Sequence, residues 1–142
     1  MRFQNTGTDT AFTVVLRDTL PPQLDIRSIE PGASSHLYTW NLEVKGVLTF
    51  TFNNIRLLDS FRNEPKSHGF VKFRIKQKND LSFGTKIENQ AGIYFDFNAP
   101  VITNRTLHTV GKDILAIVER IYDDKVQIKV FPNPFLTPPL LK

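Results

Sequence analysis

The hydrophobic and polar positions of this chain alternate along much of its length with a period of two residues. The stretch from Thr85 to Asn98 shows the alternation most clearly. Its mostly apolar positions are Ile87, Asn89, Ala91, Ile93, Phe95 and Phe97, and most of the residues between them are polar. Because successive side chains on a strand point to opposite faces, this pattern predicts one long strand with a buried face and a wet face. Asn98-Ala99-Pro100 ends it, since proline lacks the N–H that a ladder needs, and Val101 to Val110 predicts a further strand.

The polar side of this long strand carries four residues with separate roles. Gly92 suggests a bulge or a close neighbour, and Tyr94 suggests a half-exposed ring. Asp96 and Asn98 could join a calcium site, although no dense loop of acidic, amide and glycine residues surrounds them. Hydrogen bonds to the local backbone before Pro100 are the simpler prediction for these two side chains.

Other segments repeat the alternation between turn signals. Arg2 to Gln4 predicts the end of a strand before the turn Asn5–Asp9, and Leu24 to Ile29 predicts a short strand closed by Glu30-Pro31-Gly32. Lys45-Gly46 predicts the tight turn of a hairpin. The residues predicted to face inward in the remaining strands are Phe12, Val14, Leu16, Tyr38, Trp40, Leu42, Val44, Leu48, Phe50, Phe52, Val71, Phe73 and Ile75.

Two further segments connect or flank these strands. Asn53 to His68 predicts a long connection that crosses from one sheet to another, with Leu57 and Phe61 among its anchors. The outer face of the next strand is a row of cations, Lys72, Arg74, Lys76 and Lys78. Such a row protects a sheet edge against further pairing, and the alternative is a surface that binds an acidic polysaccharide.

These elements together predict an all-β fold. Seven or eight strands at spacings of about 8–15 residues indicate an antiparallel β-sandwich of immunoglobulin type. We assign residues 1–111 to this module and residues 112–125 to a linker, within which Ile114, Ile117 and Ile121 also fit helical spacing. Val126, Ile128 and Val130 form a last alternating run.

Composition narrows the functional classes. The 142 residues include 12 Phe but no Cys, so the core is expected to be aromatic and no disulfide or thiolate metal site can form. The net charge of +4 is mild and its cations are not interleaved with exposed aromatics, so nucleic acid is not a predicted partner. No stretch reaches the ~20 apolar residues of a membrane helix, and no apolar run after Arg2 forms a signal peptide.

No residue pattern indicates catalysis or a bound cofactor. The three histidines, His36, His68 and His108, lack a partner at metal-ligand spacing, and a structural hydrogen bond is predicted for His68. Ser34-Ser35-His36 is not the Gly-x-Ser-x-Gly turn that positions a nucleophile. We therefore predict a protein that is not an enzyme, without a metal or other cofactor. Tyr38, Trp40 and Phe50 could form a sugar-binding platform, but their alternation with polar residues favours core packing.

Three motifs carry a resemblance to a known family. They are Phe3-Gln4-Asn5-Thr6-Gly7-Thr8-Asp9-Thr10-Ala11, then Asn63-Glu64-Pro65 with Ser67-His68-Gly69-Phe70-Val71, then Ile87-Glu88-Asn89 through Ile93-Tyr94-Phe95-Asp96-Phe97-Asn98. In this order they resemble the conserved-repeat, immunoglobulin-like domain of unknown function found in large bacterial surface and secreted proteins. The resemblance covers about Arg2 to Val110 and implies a structural module.

The tail carries a second resemblance. Val130-Phe131-Pro132-Asn133-Pro134-Phe135 is similar to the opening of the C-terminal sorting domain recognised by the type IX secretion system. Residues 126–142 are then a truncated start of that domain, and the chain is a fragment, a truncated gene or an excised piece. Asp9-Thr10-Ala11 and Asp18-Thr19-Leu20 resemble the O-glycosylation motif of bacteria with this secretion route, which marks Thr10 and Thr19 as modification sites.

These resemblances imply a function. We expect a non-enzymatic spacer of a secreted or cell-surface bacterial protein, whose partners are the neighbouring domains of a longer chain and the type IX secretion machinery. The alternative is an adhesin or carbohydrate-binding module.

Overall fold

The prediction of an all-β protein is confirmed. A computed structural model describes residues 1–111, which form ten strands, a short α-helix and a 3₁₀ turn. The strands are β1 Arg2–Gln4, β2 Ala11–Thr19, β3 Leu24–Ser34, β4 Thr39–Leu42, β5 Val47–Leu57, β6 His68–Gln77, β7 Lys86–Asn89, β8 Ala91–Phe95, β9 Val101–Ile102 and β10 Thr106–Thr109. Between β5 and β6 lie helix α1, Ser60–Asn63, and the 3₁₀ turn Glu64–Ser67. The predicted linker, residues 112–125, and the predicted sorting segment, residues 126–142, lie outside the described residues.

The strands form three sheets in which every pair is antiparallel. One sheet has five strands in the order β4-β5-β2-β8-β9, and a second has three in the order β1-β6-β3. A third consists of β7 paired with β10. The predicted hairpin is present, because β4 pairs with β5 and the turn at Gly46 closes with a bond from its N–H to the carbonyl of Glu43 at 2.8 Å.

The core lies between the five-stranded and the three-stranded sheets and is aromatic, as the composition predicts. Phe50 and Phe52 of β5 are fully buried, with Leu48 on the same face. The Phe3 ring of β1 lies 5.2 Å from that of Phe52, and the Phe73 ring of β6 lies 5.7 Å from that of Phe50. These contacts join side chains from two sheets, so the fold is a β-sandwich.

The prediction of one continuous strand from Thr85 to Asn98 is wrong. Gln90 separates β7 from β8, and the two halves join different sheets. The segment after Pro100 is divided in the same way, into β9 and β10. These breaks explain why ten strands are present and not seven or eight.

Phe97 is exposed, although it was predicted to lie on the buried face of the long strand. Strand β8 ends at Phe95, Asp96 turns the chain with a φ of 50°, and the Phe97 side chain is fully exposed. Phe95 itself is only partly buried against the core. Alternation predicts a side-chain direction only while the strand continues.

A bulge overturns the prediction that Phe12 faces inward. Phe12 is 55% exposed, whereas Ala11 and Val14 on either side of the bulge are buried. The pairing of β2 with β5 shifts register between Ala11 and Thr13. Two steps along β2 face four steps along β5 at this shift, so the extra residues belong to β5. The irregular pairing breaks the period of two at Phe12.

Strand β3 is longer than predicted, because Pro31 does not end it. The strand runs to Ser34, and Pro31 pairs with Phe73 through an irregular register. In the three-stranded sheet β3 lies at an edge. A proline is tolerated there, since its missing N–H would face solvent.

Two residues of the β4 region are also exposed, against prediction. Trp40 is 46% exposed although it pairs with the buried Phe50. Strand β4 is the edge strand of its sheet, so the Trp40 ring has a neighbouring strand on one side only. Val44 follows the end of β4 and lies in the turn, 98% exposed.

The prediction of a connection that crosses between sheets is confirmed, but the connection is shorter than predicted. Strand β5 continues through Asn53 to Leu57, after which α1 and the 3₁₀ turn carry the chain from the five-stranded sheet to β6 in the other. Leu57 is a buried anchor, whereas Phe61 is 93% exposed.

Strand β6 lies between β1 and β3 in the sheet order, but β1 pairs only with His68 to Phe70. The outer row of cations follows that paired part of β6, and its edge-protecting role stays a prediction. The inward residues of β6 follow the prediction, since Val71 is buried and Phe73 and Ile75 pack against the core.

Candidate functional site: a polar cleft on the five-stranded sheet

Several polar side chains converge in an open cleft over the outer face of the five-stranded sheet. Its floor is a row of residues across three adjacent strands, because Arg17 of β2 pairs with Gly92 of β8, which pairs with Ile102 of β9. The cleft encloses about 500 Å³. Glu88, Gln90, Tyr94 and Arg105 also line it.

Two ion pairs hold the guanidinium groups of the cleft. The Arg105 side chain donates to a Glu88 carboxylate oxygen at 2.9 Å, and Arg17 lies 3.6 Å from Glu43. All four side chains are about half exposed, so each pair contributes at most about 1 kcal/mol to stability. An anionic ligand could therefore displace either glutamate at small cost.

Gly92 and Tyr94, which lie on the polar side of the predicted long strand, both line this cleft. A side chain at Gly92 would contact the Tyr94 ring at 3.4 Å and Ile102 at 3.6 Å. The pairing of Gly92 with Arg17 and Ile102 is regular, so the predicted bulge is absent at this glycine. These neighbours are at ordinary van der Waals distance from an added β-carbon. Tyr94 is half-buried, as predicted. An aromatic ring beside two guanidinium groups is an arrangement suited to a sugar that carries a carboxylate.

A second polar feature, missed by the sequence analysis, is the buried pair Asp18 and Asn89. Asp18 of β2 is 1% exposed, and its Oδ2 accepts a bond from the Asn89 side-chain amide at 2.9 Å. Asp18 Oδ1 and Asn89 Oδ1 are buried and have no hydrogen-bond partner. The signal was present in the sequence, because Asp18 continues the inward positions Val14 and Leu16 of the same strand.

Burial raises the pKa of the Asp18 carboxyl above its ordinary value of 3.8. The bond from Asn89 and the Met1 ammonium group oppose this shift, without cancelling it. Between the ordinary and the raised pKa the folded protein binds more protons than the unfolded chain. Its free energy of unfolding therefore falls as the pH rises through that window.

We expect Asp18→Asn to raise the free energy of unfolding at neutral pH. The amide removes the buried charge, still accepts from Asn89, and offers a donor to the unpartnered Asn89 Oδ1. Urea unfolding of both proteins from pH 4 to pH 7 should show a gain that shrinks as the pH falls. A gain that is independent of pH, or a loss at neutral pH, would contradict this account of Asp18.

The Asp96 side chain forms hydrogen bonds with backbone groups that are distant in sequence. The prediction that it bonds to its local backbone is wrong. Its Oδ1 accepts the N–H of Phe12 at 3.0 Å and of Thr13 at 2.7 Å, and its own N–H donates to the Thr13 carbonyl at 2.8 Å. The two N–H groups belong to the segment of β2 where its pairing with β5 shifts register. Within residues 1–111, no three side chains of His, Cys, Asp or Glu converge on a metal site.

Two of the three histidines, His36 and His68, and the serine pair have local partners. His68 Nε2 lies 2.7 Å from Glu64 Oε1, a hydrogen bond like the one predicted for this histidine. Glu64 precedes His68 by four residues, which is a metal-ligand spacing. The prediction that the histidines lack a partner at such a spacing is therefore wrong for His68. Ser35 Oγ accepts the Phe70 N–H at 2.8 Å and lies 2.8 Å from His36 Nδ1.

The predicted modification sites differ in their surroundings. The Thr19 side chain is exposed at the end of β2, but Asp18 and Leu20 on either side of it are buried. Thr10 is partly buried, with Asp9 exposed before it and Ala11 buried after it. The predicted sorting motif Val130–Phe135 lies outside the described residues.

Comparison with known proteins places the chain in a family. No helix among the described residues is both long enough and apolar enough to span a membrane. No curated protein matches the sequence. The family model described as "Domain of unknown function (DUF7619)" matches residues 1–109. Since this match covers well over half of the 142 residues, the chain belongs to the DUF7619 family of domains of unknown function.

Proposed function

We propose that this domain is a non-enzymatic structural module of a bacterial secreted or cell-surface protein, with an immunoglobulin-like sandwich fold. The observation that carries the proposal is the aromatic contact between the sheets. Phe3 and Phe73 come from β1 and β6, and they pack against Phe52 and Phe50 of β5. A core of this kind resists unfolding while the outer faces remain free for neighbouring domains.

The motif resemblance supports the cellular setting of the proposal. The Asn63-Glu64-Pro65 and Ile93–Asn98 motifs resemble those of conserved-repeat domains in surface proteins. The Val130–Phe135 segment resembles the start of a type IX sorting domain. We propose that this segment directs the longer protein to that secretion route and that Thr10 and Thr19 are glycosylated. Because Asp18 and Leu20 are buried in the folded domain, a transferase that reads both would have to act on Thr19 before folding.

The structural role is tested in a bacterium that has type IX secretion. A fluorescent protein with an export signal is fused in front of residues 1–142, and the remaining strands of a sorting domain from a protein secreted by that route are added after residue 142. We expect the reporter outside the cell, attached to a domain that protease leaves intact. One matched fusion replaces residues 1–111 with a flexible Gly-Ser segment and should be cleaved far faster at that position. A second replaces Pro132 and Pro134 with alanine and should stay inside the cell. Equal cleavage of the first two fusions would refute the structural role, and export of the third would refute the sorting role.

A carbohydrate-binding module is the second candidate, and the cleft favours it. Tyr94, Arg17 and Arg105 line a depression open to solvent. Arg105→Ala should then lower binding on a glycan array. Replacement of Lys72, Arg74 and Lys76 by serine tests the cation row of β6 separately, as retention on heparin or alginate. Unchanged retention and binding in both variants would exclude this function.

A further inference from the structure

The outer face of the five-stranded sheet continues from the cleft across two more strands. Arg17 of β2 pairs with Thr49 of β5, and Thr49 pairs with Asn41 of β4. On the other side Arg17 pairs with Gly92 of β8. Asn41 and Arg17 are exposed, and Thr49 and Gly92 are partly exposed. We call Asn41, Thr49, Arg17 and Gly92 the transverse row, because it crosses four strands.

A second row of outward residues lies beside the transverse row on the same four strands. Its members, in the same order of pairing, are Thr39, Thr51, Val15 and Tyr94. Threonine hydroxyls and the side-chain amide of Asn41 both donate and accept hydrogen bonds. The face therefore offers partners for hydroxyl groups of a ligand, with the Tyr94 ring at one end.

The spacing of these residues fits a repeating sugar chain that crosses the strands. Neighbouring strands lie about 4.7–4.9 Å apart, which is close to the length of one pyranose unit in an extended glycan. Along a single strand, residues on one face recur only every 6.4–6.8 Å or so, which is too far. A chain that follows the transverse row therefore meets one residue of the row with each sugar unit.

The cleft marks the end of the transverse row at which a charged sugar fits. Gly92 has no side chain, so its backbone forms a floor between the Tyr94 ring and Ile102. Arg17 and Arg105 line the same cleft, and a guanidinium group matches a carboxylate with two parallel hydrogen bonds. Their present glutamate partners are about half exposed, so a carboxylate of the ligand replaces them at small cost.

We propose that the outer face of the five-stranded sheet binds an acidic polysaccharide made of uronic acid units. The chain crosses the strands along the transverse row and places one carboxylate over Gly92, within reach of Arg17 and Arg105. This inference rests on the second proposed function, carbohydrate binding, and adds the class of the ligand, its direction and the length of its site. One sugar unit for each of the four strands makes the site four units long.

The test uses the full chain and oligomers of mannuronate with two, four and six units, measured by isothermal titration calorimetry. Affinity should rise about ten-fold from two units to four, since two more units add hydrogen bonds to β5 and β4. It should change little from four units to six. The matched ligand is the four-unit oligomer with its carboxyl groups reduced to alcohols, and it should bind far more weakly.

Variants of the protein locate the two ends of the site. Asn41→Asp places a negative charge beside the far end of the ligand, and it should weaken binding of the four-unit oligomer about five-fold without affecting the two-unit oligomer. Thr8→Asp adds the same charge on the exposed turn between β1 and β2 and is the matched control. Gly92→Ala should weaken binding of both oligomers. Its β-carbon meets its neighbours at ordinary contact distance, so the circular dichroism spectrum should not change.

The outcomes separate this inference from the proposed function on which it rests. Equal binding of the reduced oligomer, an affinity that is independent of length, or an unchanged affinity in Asn41→Asp would overturn the inference and leave carbohydrate binding in place. Binding that persists in Gly92→Ala but is lost when Lys72, Arg74 and Lys76 are replaced by serine would assign the ligand to β6, and would also overturn it. If the chain binds none of these oligomers and no other glycan, the inference and carbohydrate binding are both refuted.

Discussion

Phe52→Ala should lower the free energy of unfolding by about 3–5 kcal/mol, as large-to-small changes in a packed core do. The Phe52 side chain is fully buried, and its ring lies 5.2 Å from that of Phe3 and 5.9 Å from that of Tyr38. The substitution removes ring contacts to β1 of the other sheet and to Tyr38, which precedes β4, and leaves a cavity. Since domains of this size are stable by about 5–15 kcal/mol, urea unfolding should show the loss clearly.

Phe97→Ala is the matched control for this change. The same two residue types are exchanged, but the Phe97 side chain is fully exposed. Its effect should stay within about 0.5 kcal/mol, as for surface substitutions away from special features. Equal losses for the two variants would mean that the inward and outward assignment around β5 and β8 is wrong.

Asp96→Ala should be the most costly change outside the core, at about 2–4 kcal/mol. The carboxylate accepts the N–H groups of Phe12 and Thr13, and bonds to a charged group contribute about 1.5–3 kcal/mol. Alanine would also have to adopt the φ of 50° at this position, which disfavours residues with a β-carbon. Thermal unfolding would report the loss as a lower midpoint.

Asp96→Asn is the control that separates these causes. Asparagine keeps one acceptor oxygen and tolerates the left-handed backbone, so most of the stability should return. Hydrogen exchange at the amides of Phe12 and Thr13 should be fast in the alanine variant and slow in the asparagine variant. If both variants lose the same stability without faster exchange at these amides, Asp96 does not hold the bulge.

These two positions also bear on the proposed role as a structural module. Phe52 joins the sheets, and Asp96 ties the turn after β8 to the start of β2 across more than 80 residues of sequence. Both therefore stabilise contacts between distant parts of the chain. Losses of this size would reduce the protease resistance on which the reporter fusion depends, although neither residue lines the cleft.

The candidate sites could be predicted from the sequence less well than the strands could, because they depend on tertiary structure. Arg17, Gly92 and Ile102 are far apart in sequence and form the floor of the cleft only because three strands pair side by side. The unpartnered oxygens of Asp18 and Asn89 likewise arise where β2 and β7 meet. Neither arrangement has a local sequence signal, although the inward position of Asp18 on β2 could have drawn attention to it.

The sequence by itself determined that the chain is made of strands, and it placed Leu48, Phe50 and Phe52 on the inner face, because alternation is a local property of an extended backbone. Only the tertiary structure decided where each strand lies in its sheet. Trp40 is exposed because β4 became an edge, and Phe12 is exposed where the pairing of β2 with β5 is irregular. Edges, bulges and breaks are fixed by pairing between residues distant in sequence, so the period of two carries no record of them.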